Sequence, residues 1–208
     1  MSARSLFVKV CGITRLQDAD LAADLGASAI GFIFWPGSPR YVSPEDARGI
    51  ARRKAAGLKA VGVFVDEPVE RVRQIADLVG LDMVQFHGNE SPTVVRDFSR
   101  AVGVIKAISL PGDAPVDLSE FDEDVLILLD AHDPVRRGGT GRTIDWAAAR
   151  SVALSRRTIL AGGLTPENVG EAVSAVEPYG IDVSSGVESA PGVKDAARLK
   201  RLFEALND

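Results

Sequence analysis

The chain has a single cysteine, two histidines, two tryptophans and two tyrosines. One cysteine closes no internal disulfide, which excludes a disulfide scaffold. The two histidines, His87 and His132, make no metal-binding motif, and no metal site is expected. Long apolar runs are missing as well. The longest stretch without Asp, Glu, Lys or Arg covers 25–39 and includes two prolines, too short and too broken to span a bilayer. The opening residues MSARSLFVK lack the apolar centre of a signal peptide, so no membrane association and a cytoplasmic location are expected. Excess positive charge is also absent. The chain carries 24 Lys and Arg against 29 Asp and Glu, a net charge of −5, which disfavours nucleic-acid binding. A small anion remains possible, because one arginine and a few amides hold a phosphate locally.

What is present is ordinary for a folded chain: 208 residues, 46% hydrophobic and 25% charged. No linker divides it, and a single domain over 1–208 is expected. Short runs rich in Val, Ile and Phe begin near Phe7, Ala29, Lys59, Met83, Gly103, Asp124, Arg157 and Gly180. They are nearly continuous in hydrophobicity, as strands covered on both faces are. Helix signals lie between them. Thr14 is a candidate N-cap for 16–25, and Ser43-Pro44-Glu45-Asp46 opens a second helix with a cap, a proline and two acids. Thr165-Pro166-Glu167 repeats that signature before 168–176, while 70–79 and 196–206 place apolar residues at helical spacing. Eight strands joined mostly by helices give a parallel sheet, and eight close a barrel. The expected fold class is therefore α/β, a single (β/α)8 TIM barrel. Such barrels typically have about 250 residues, so this one is compact. The segment 110–123, with two prolines and several acids, makes the helix after the fifth strand short or missing. The other candidate architecture is an open doubly wound sheet, which usually shows G-x-G-x-x-G after its first strand. Here that strand runs into Cys11-Gly12-Ile13-Thr14.

A barrel of this kind places its active site at the carboxyl ends of the strands. The polar residues there include Lys9 and Cys11 on the first strand, Asp66 after the third, and Gln85 and His87 on the fourth. Lys106 and Ser109 lie on the fifth, Asp130 ends the sixth, and Asp182, Ser184 and Ser185 end the eighth. Two glycine-rich turns, around Gly162 and Gly163 and around Ser184, Ser185 and Gly186, follow the seventh and eighth strands. This fold commonly holds a phosphate there, often with a short extra helix. A thiolate at Cys11 can take a proton from carbon, which requires a pKa lowered from about 8.5. Asp130 follows Leu-Ile-Leu-Leu, and a carboxyl against apolar walls suits a general acid. Arg40, behind a proline-stiffened loop, suits a carboxylate or phosphate. Arg136, Arg137 and Arg142 read as solvated loop charges, and Gly138, Gly139 and Gly141 would let that loop close as a lid.

Together these motifs carry a resemblance. Lys-Val-Cys-Gly-Ile-Thr at 9–14, Gly-Phe-Ile-Phe at 31–34, Ser-Pro-Arg-Tyr-Val at 38–42 and Val-Gln-Phe-His-Gly at 84–88 come first. Leu-Leu-Asp-Ala at 128–131, Gly-Gly-Thr-Gly at 138–141, Ala-Gly-Gly-Leu-Thr-Pro-Glu-Asn-Val at 161–169 and Asp-Val-Ser-Ser-Gly-Val-Glu at 182–188 follow in register. Along essentially its whole length the sequence resembles the phosphoribosylanthranilate isomerases of tryptophan biosynthesis. The resemblance implies an Amadori rearrangement of N-(5-phosphoribosyl)anthranilate by a monomer or homodimer that needs no metal or cofactor. It implies Asp130 as general acid and Cys11 as general base, with Arg40 holding the substrate carboxylate. It places the phosphate at Gly162, Gly163, Ser184, Ser185 and Gly186, and His87 and Asp182 along the pocket. Two alternatives stay open. Another phosphosugar isomerase or epimerase on the same barrel would need metal ligands or paired aspartates. A non-catalytic phosphometabolite-binding protein would need neither Cys11 nor Asp130.

Overall fold

The computed structural model describes residues 6–109, 117–130 and 146–207. Eight parallel strands close into a barrel in chain order: β1 (Phe7–Cys11), β2 (Ala29–Ile33), β3 (Lys59–Phe64), β4 (Met83–Phe86), β5 (Gly103–Ser109), β6 (Leu126–Asp130), β7 (Thr158–Leu160) and β8 (Gly180–Val183). Seven helices pack outside: α1 (Leu16–Asp24), α2 (Pro44–Ala51), α3 (Val69–Val79), α4 (Pro92–Ser99), α5 (Trp146–Ala153), α6 (Val169–Val176) and α7 (Ala196–Ala205). Among the described residues no helix lies between β5 and β6. After β8 come a 3-10 turn (Ser185–Val187) and an antiparallel hairpin of β9 (Glu188–Ala190) and β10 (Val193–Lys194). No helix among the described residues is long and apolar enough to cross a membrane.

The pleat divides the apolar residues into two cores. Alternate residues of the strands, among them Phe7, Val61, Met83, Ile105, Leu126, Leu128 and Ile159, form a small cluster that fills the barrel. The intervening residues, such as Val8, Val10, Ile30, Phe32, Ile127 and Leu160, join the helices in a larger shell. This double burial is why the strands read as nearly unbroken apolar runs. The same parity sends Lys9, Cys11, Gln85, Asp130 and Asp182 inward with the smaller cluster.

Side-chain caps fix three of the helix starts among the described residues. Ser43 Oγ accepts from Asp46 N at 3.1 Å, Ser91 Oγ from Val94 N at 3.4 Å and Asp195 Oδ1 from Arg198 N at 2.9 Å. Two expected caps are corrected. Thr14 does not cap α1. Its hydroxyl donates to Gly192 O at 2.6 Å, and Arg15 occupies the cap position without a side-chain bond. Thr165 precedes a turn, and α6 begins later, at Val169. The helix α4 was missed in the sequence, although Ser91-Pro92 carries the signal read at Ser43-Pro44.

Phe86 on β4 links barrel to shell. It is buried, and its ring meets that of Phe98 on α4 edge to face at 5.2 Å. Phe86→Ala is expected to lower stability in urea unfolding by about 3–5 kcal/mol, and Phe86→Leu by markedly less. Equal losses would show that the ring pair, rather than buried apolar volume, is what Phe86 contributes.

Candidate active site

A cavity of about 500 Å³ opens at the carboxyl ends of the strands. Cys11, Arg40, His87, Asp130, Gly162, Gly163, Asp182, Ser184, Ser185 and Gly186 all line it, so the residues that the resemblance assigns to the site lie together, while the strand-end candidates Lys9, Asp66, Lys106 and Ser109 are not part of its lining. Trp35, Pro39, Val63, Val65 and Leu164 supply apolar wall. The loop residues 131–145, with His132, Arg136, Arg137, Arg142 and the glycines expected to form a lid, lie outside the described residues.

Lys9 and Cys11 sit two residues apart on β1, and register pairing sets Lys9 beside Asp182 of β8. Lys9 is fully buried, and its Nζ lies 2.9 Å from Asp182 Oδ1. Burial pulls the Lys9 pKa down, but the charge and hydrogen bond of Asp182, with Cys11 adding to them as its thiolate forms, outweigh it and the net direction is up. Burial also pushes the Asp182 carboxyl up, against the pull of Lys9. We read the pair as charged. The 2.9 Å contact is that of an ammonium with a carboxylate, and a buried charge without a partner costs several kcal/mol.

Cys11 departs from the expectation of a lowered pKa. Burial and the nearby Asp182 carboxylate push its thiol up. Lys9 and Lys194 pull the other way without prevailing. The resting thiol is therefore protonated, and both lysines favour the thiolate once it forms.

Asp130 has a neighbour that the sequence did not show. His87 Nε2 stands 3.3 Å from Asp130 Oδ2, so the walls around this carboxyl are not purely apolar. Gln85, buried on β4, contacts His87 Nδ1 through its Nε2 at 2.9 Å. With the amide in that orientation the glutamine donates to Nδ1, leaving the imidazole proton on Nε2, facing Asp130. Lys106, a strand-end candidate, does not line the cavity. It is buried against Glu90 at 2.9 Å and donates to Gly88 O at 2.7 Å, which ties down the turn after His87.

The two glycine turns abut. Gly162 and Gly163 take φ of 86° and 68°, values that favour glycine. At Gly186 a Cβ would fall 2.0 Å from Leu164 O, so only glycine lets the turn after β8 lie against the one after β7. Asn168 stiffens the latter, accepting from Thr165 N at 2.8 Å and donating to Gly163 O at 3.0 Å. Ser184 Oγ is buried and has no hydrogen-bond partner among the described residues.

Arg40 is the second surprise. It is already paired: Nε lies 3.0 Å from both carboxylate oxygens of Glu188, and Nη2 lies 2.7 Å from Oε2. Glu188 also takes Lys194 Nζ at 2.7 Å, and that ammonium donates to Cys11 O at 2.5 Å. Burial alone would push the Glu188 carboxyl up, but Arg40 and Lys194 hold it below the usual carboxylate range. Neither Glu188 nor Lys194 stood out in the sequence.

A closed parallel barrel that gathers titratable side chains and glycine-rich turns at the carboxyl ends of its strands defines a (β/α)8 enzyme. Comparison with known proteins narrows the class. The family model described as "PRAI: N-(5'phosphoribosyl)anthranilate (PRA) isomerase" matches residues 8–205, and the chain belongs to that family. A relative from Pelobacter propionicus, named N-(5'-phosphoribosyl)anthranilate isomerase, is 46% identical over 94% of this chain and 93% of its own length. The phosphoribosyl anthranilate isomerase of Thermus thermophilus superposes with a TM-score of 0.88 at 44% identity, covering 97% of this chain and 98% of that one. A third, at 36% identity and a TM-score of 0.83, is a phosphoribosyl anthranilate isomerase in complex with reduced 1-(o-carboxyphenylamino)-1-deoxyribulose 5-phosphate; the match covers 97% of this chain and 98% of that one.

The Lys9–Asp182 pair generates a test. Lys9→Met is expected to cost about 3–5 kcal/mol in urea unfolding at pH 7, because it strands a buried carboxylate. The double variant Lys9→Met/Asp182→Leu is expected to recover most of that loss. Failure to recover would mean that Lys9 acts by packing rather than charge.

Proposed function

We propose that this chain isomerises N-(5'-phosphoribosyl)anthranilate to 1-(o-carboxyphenylamino)-1-deoxyribulose 5-phosphate, with Asp130 as general acid and Cys11 as general base. The observation that carries the proposal is the convergence of Cys11, Asp130, Arg40 and both glycine turns on one cavity. The molecule bound by the third relative carries a phosphate and an aryl carboxylate. Those groups match the two anion-binding ends of this cavity. The phosphate goes to the amides around Gly162, Gly163, Ser185 and Gly186, with Ser184 Oγ free to donate. The carboxylate goes to Arg40. His87 holds the Asp130 carboxyl in place, and Asp182 acts from beneath through Lys9.

The chemistry balances without a cofactor. Asp130 gives a proton to the ring oxygen, the C1–O bond breaks, and a protonated Schiff base remains. Cys11 reacts from its thiolate form, its own proton having passed to water, and removes the C2 proton; those electrons form the C1–C2 double bond while the C1–N π pair returns to nitrogen, giving an enolamine. A proton then returns to C1 as the C2 hydroxyl loses one, which leaves the ketone and no net change in protons. Lys9 and Lys194 offset the buried thiolate during the second step. The reading implies a cytoplasmic enzyme, monomer or homodimer, acting on a small anionic substrate.

The test is an assay with substrate formed in situ and EDTA present, following the loss of its fluorescence. Wild type is expected to turn over. Cys11→Ala and Asp130→Asn are each expected to lower kcat by about 10²–10⁴, the usual worth of one acid or base. Full activity in either variant removes that residue from its role. No turnover by folded wild type overturns the substrate.

A further inference from the structure

Glu188 does not line the cavity, yet it joins two residues that do. We propose that Glu188 is a positioning residue for the isomerisation: it sets the Arg40 guanidinium for the substrate carboxylate and, through Lys194, holds the end of β1 that carries Cys11. The inference rests on the reading above, in which Arg40 receives that carboxylate and Cys11 is the base.

The first arm is geometric. A guanidinium offers two edges for bidentate contact. Glu188 occupies the side edge, with both oxygens 3.0 Å from Nε and Oε2 2.7 Å from Nη2. The end-on edge, Nη1 with the second hydrogen of Nη2, is not used by Glu188 and suits a second carboxylate. Gly12 lies beneath the arginine stem, where a Cβ would come 2.7 Å from Arg40 Cδ. The side chain is thus gripped at stem and head, and its rotamer freedom is lost before the substrate arrives.

The second arm runs through Lys194. Its Nζ reaches Glu188 Oε1 at 2.7 Å, Cys11 O at 2.5 Å and Ser184 O at 3.5 Å. One ammonium therefore bridges the ends of β1 and β8. Glu188 Oε1 also accepts from Gly192 N at 3.3 Å, and Asp18 Oδ2 takes Lys194 N at 3.1 Å, which anchors the hairpin. Within this strap two cations share one carboxylate. The charged groups acting on Cys11 are Lys9 beside it on β1, Asp182 on β8 and Lys194 on β10. Burial pulls the Lys194 pKa down, and Glu188, 2.7 Å away, opposes that pull; without the Glu188 charge Lys194 more readily becomes neutral, Cys11 loses a cation that favours its thiolate, and the thiol gives up its proton at higher pH.

The experiment compares wild type, Glu188→Gln, Glu188→Asp, Arg40→Ala and Arg40→Ala/Glu188→Gln in steady-state kinetics across pH. Glu188→Gln is expected to raise KM about tenfold, as when a preorganised side chain is set free. It should also move the ascending limb of kcat/KM to higher pH, a shift that a hairpin strap alone would not produce. Glu188→Asp keeps the charge but shortens the reach. It should raise KM and leave the limb in place, and it carries the test if the Gln variant does not fold; a wild-type KM in it then overturns the proposal. The double variant should show a KM no higher than that of Arg40→Ala. An unchanged KM or an unmoved limb in folded Glu188→Gln, with Arg40→Ala raising KM, overturns the inference alone. An unchanged KM in Arg40→Ala overturns the carboxylate role on which it rests.

Discussion

A lysine with no exposed surface has to find an anion inside the protein, and in this barrel it finds one across the seam. Lys9 and Asp182 stand opposite each other where the first strand meets the last. Their contact occupies the level between the apolar plug of the barrel and the open cavity. Below it are Phe7, Val61 and Leu126; above it are Cys11, Ser184 and the glycine turns. The pair sets the charge of the cavity floor, so the thiol above is governed by a cation on its own strand and an anion on the neighbouring one.

The cavity is organised by pairs of this type rather than by single residues. His87 sits between Gln85 and Asp130, Arg40 lies against Glu188, and Lys194 lies between Glu188 and the Cys11 carbonyl. Buried charges with partners are held in one geometry before any ligand arrives. The thiol is the exception. Burial holds its proton on, while two ammonium groups wait to stabilise its loss. A base protonated at rest reacts from its thiolate fraction, which those two ammonium groups enlarge.

Much of the architecture was legible because a strand covered on both faces cannot hide its apolar pattern. The strands from Phe7, Ala29, Lys59, Met83, Gly103 and Gly180 begin where the runs begin. Those near Asp124 and Arg157 begin one or two residues later, because a charged residue at the barrel rim precedes the paired segment. Cavity residues were legible from position, since strand ends point to one mouth. Partners were not. Glu188 and Arg40 are 148 residues apart, and Lys194 and Cys11 are 183 apart. No local spacing announces such a pair. Thr14 was misread for the same reason: its hydroxyl had a choice between a local amide and a carbonyl 178 residues away.

The hairpin that carries Glu188 and Lys194 comes after the eighth strand, when seven strands' worth of chain has already left the ribosome. Lys194 lies 183 residues beyond the Cys11 carbonyl it holds. Leu199, Leu202 and Phe203 of α7 follow the same hairpin and belong to the outer core, so the thiol environment and the shell are completed together. One stretch of chain thus closes the helical shell and sets an ammonium on the Cys11 carbonyl, which ties completion of the fold to completion of the site.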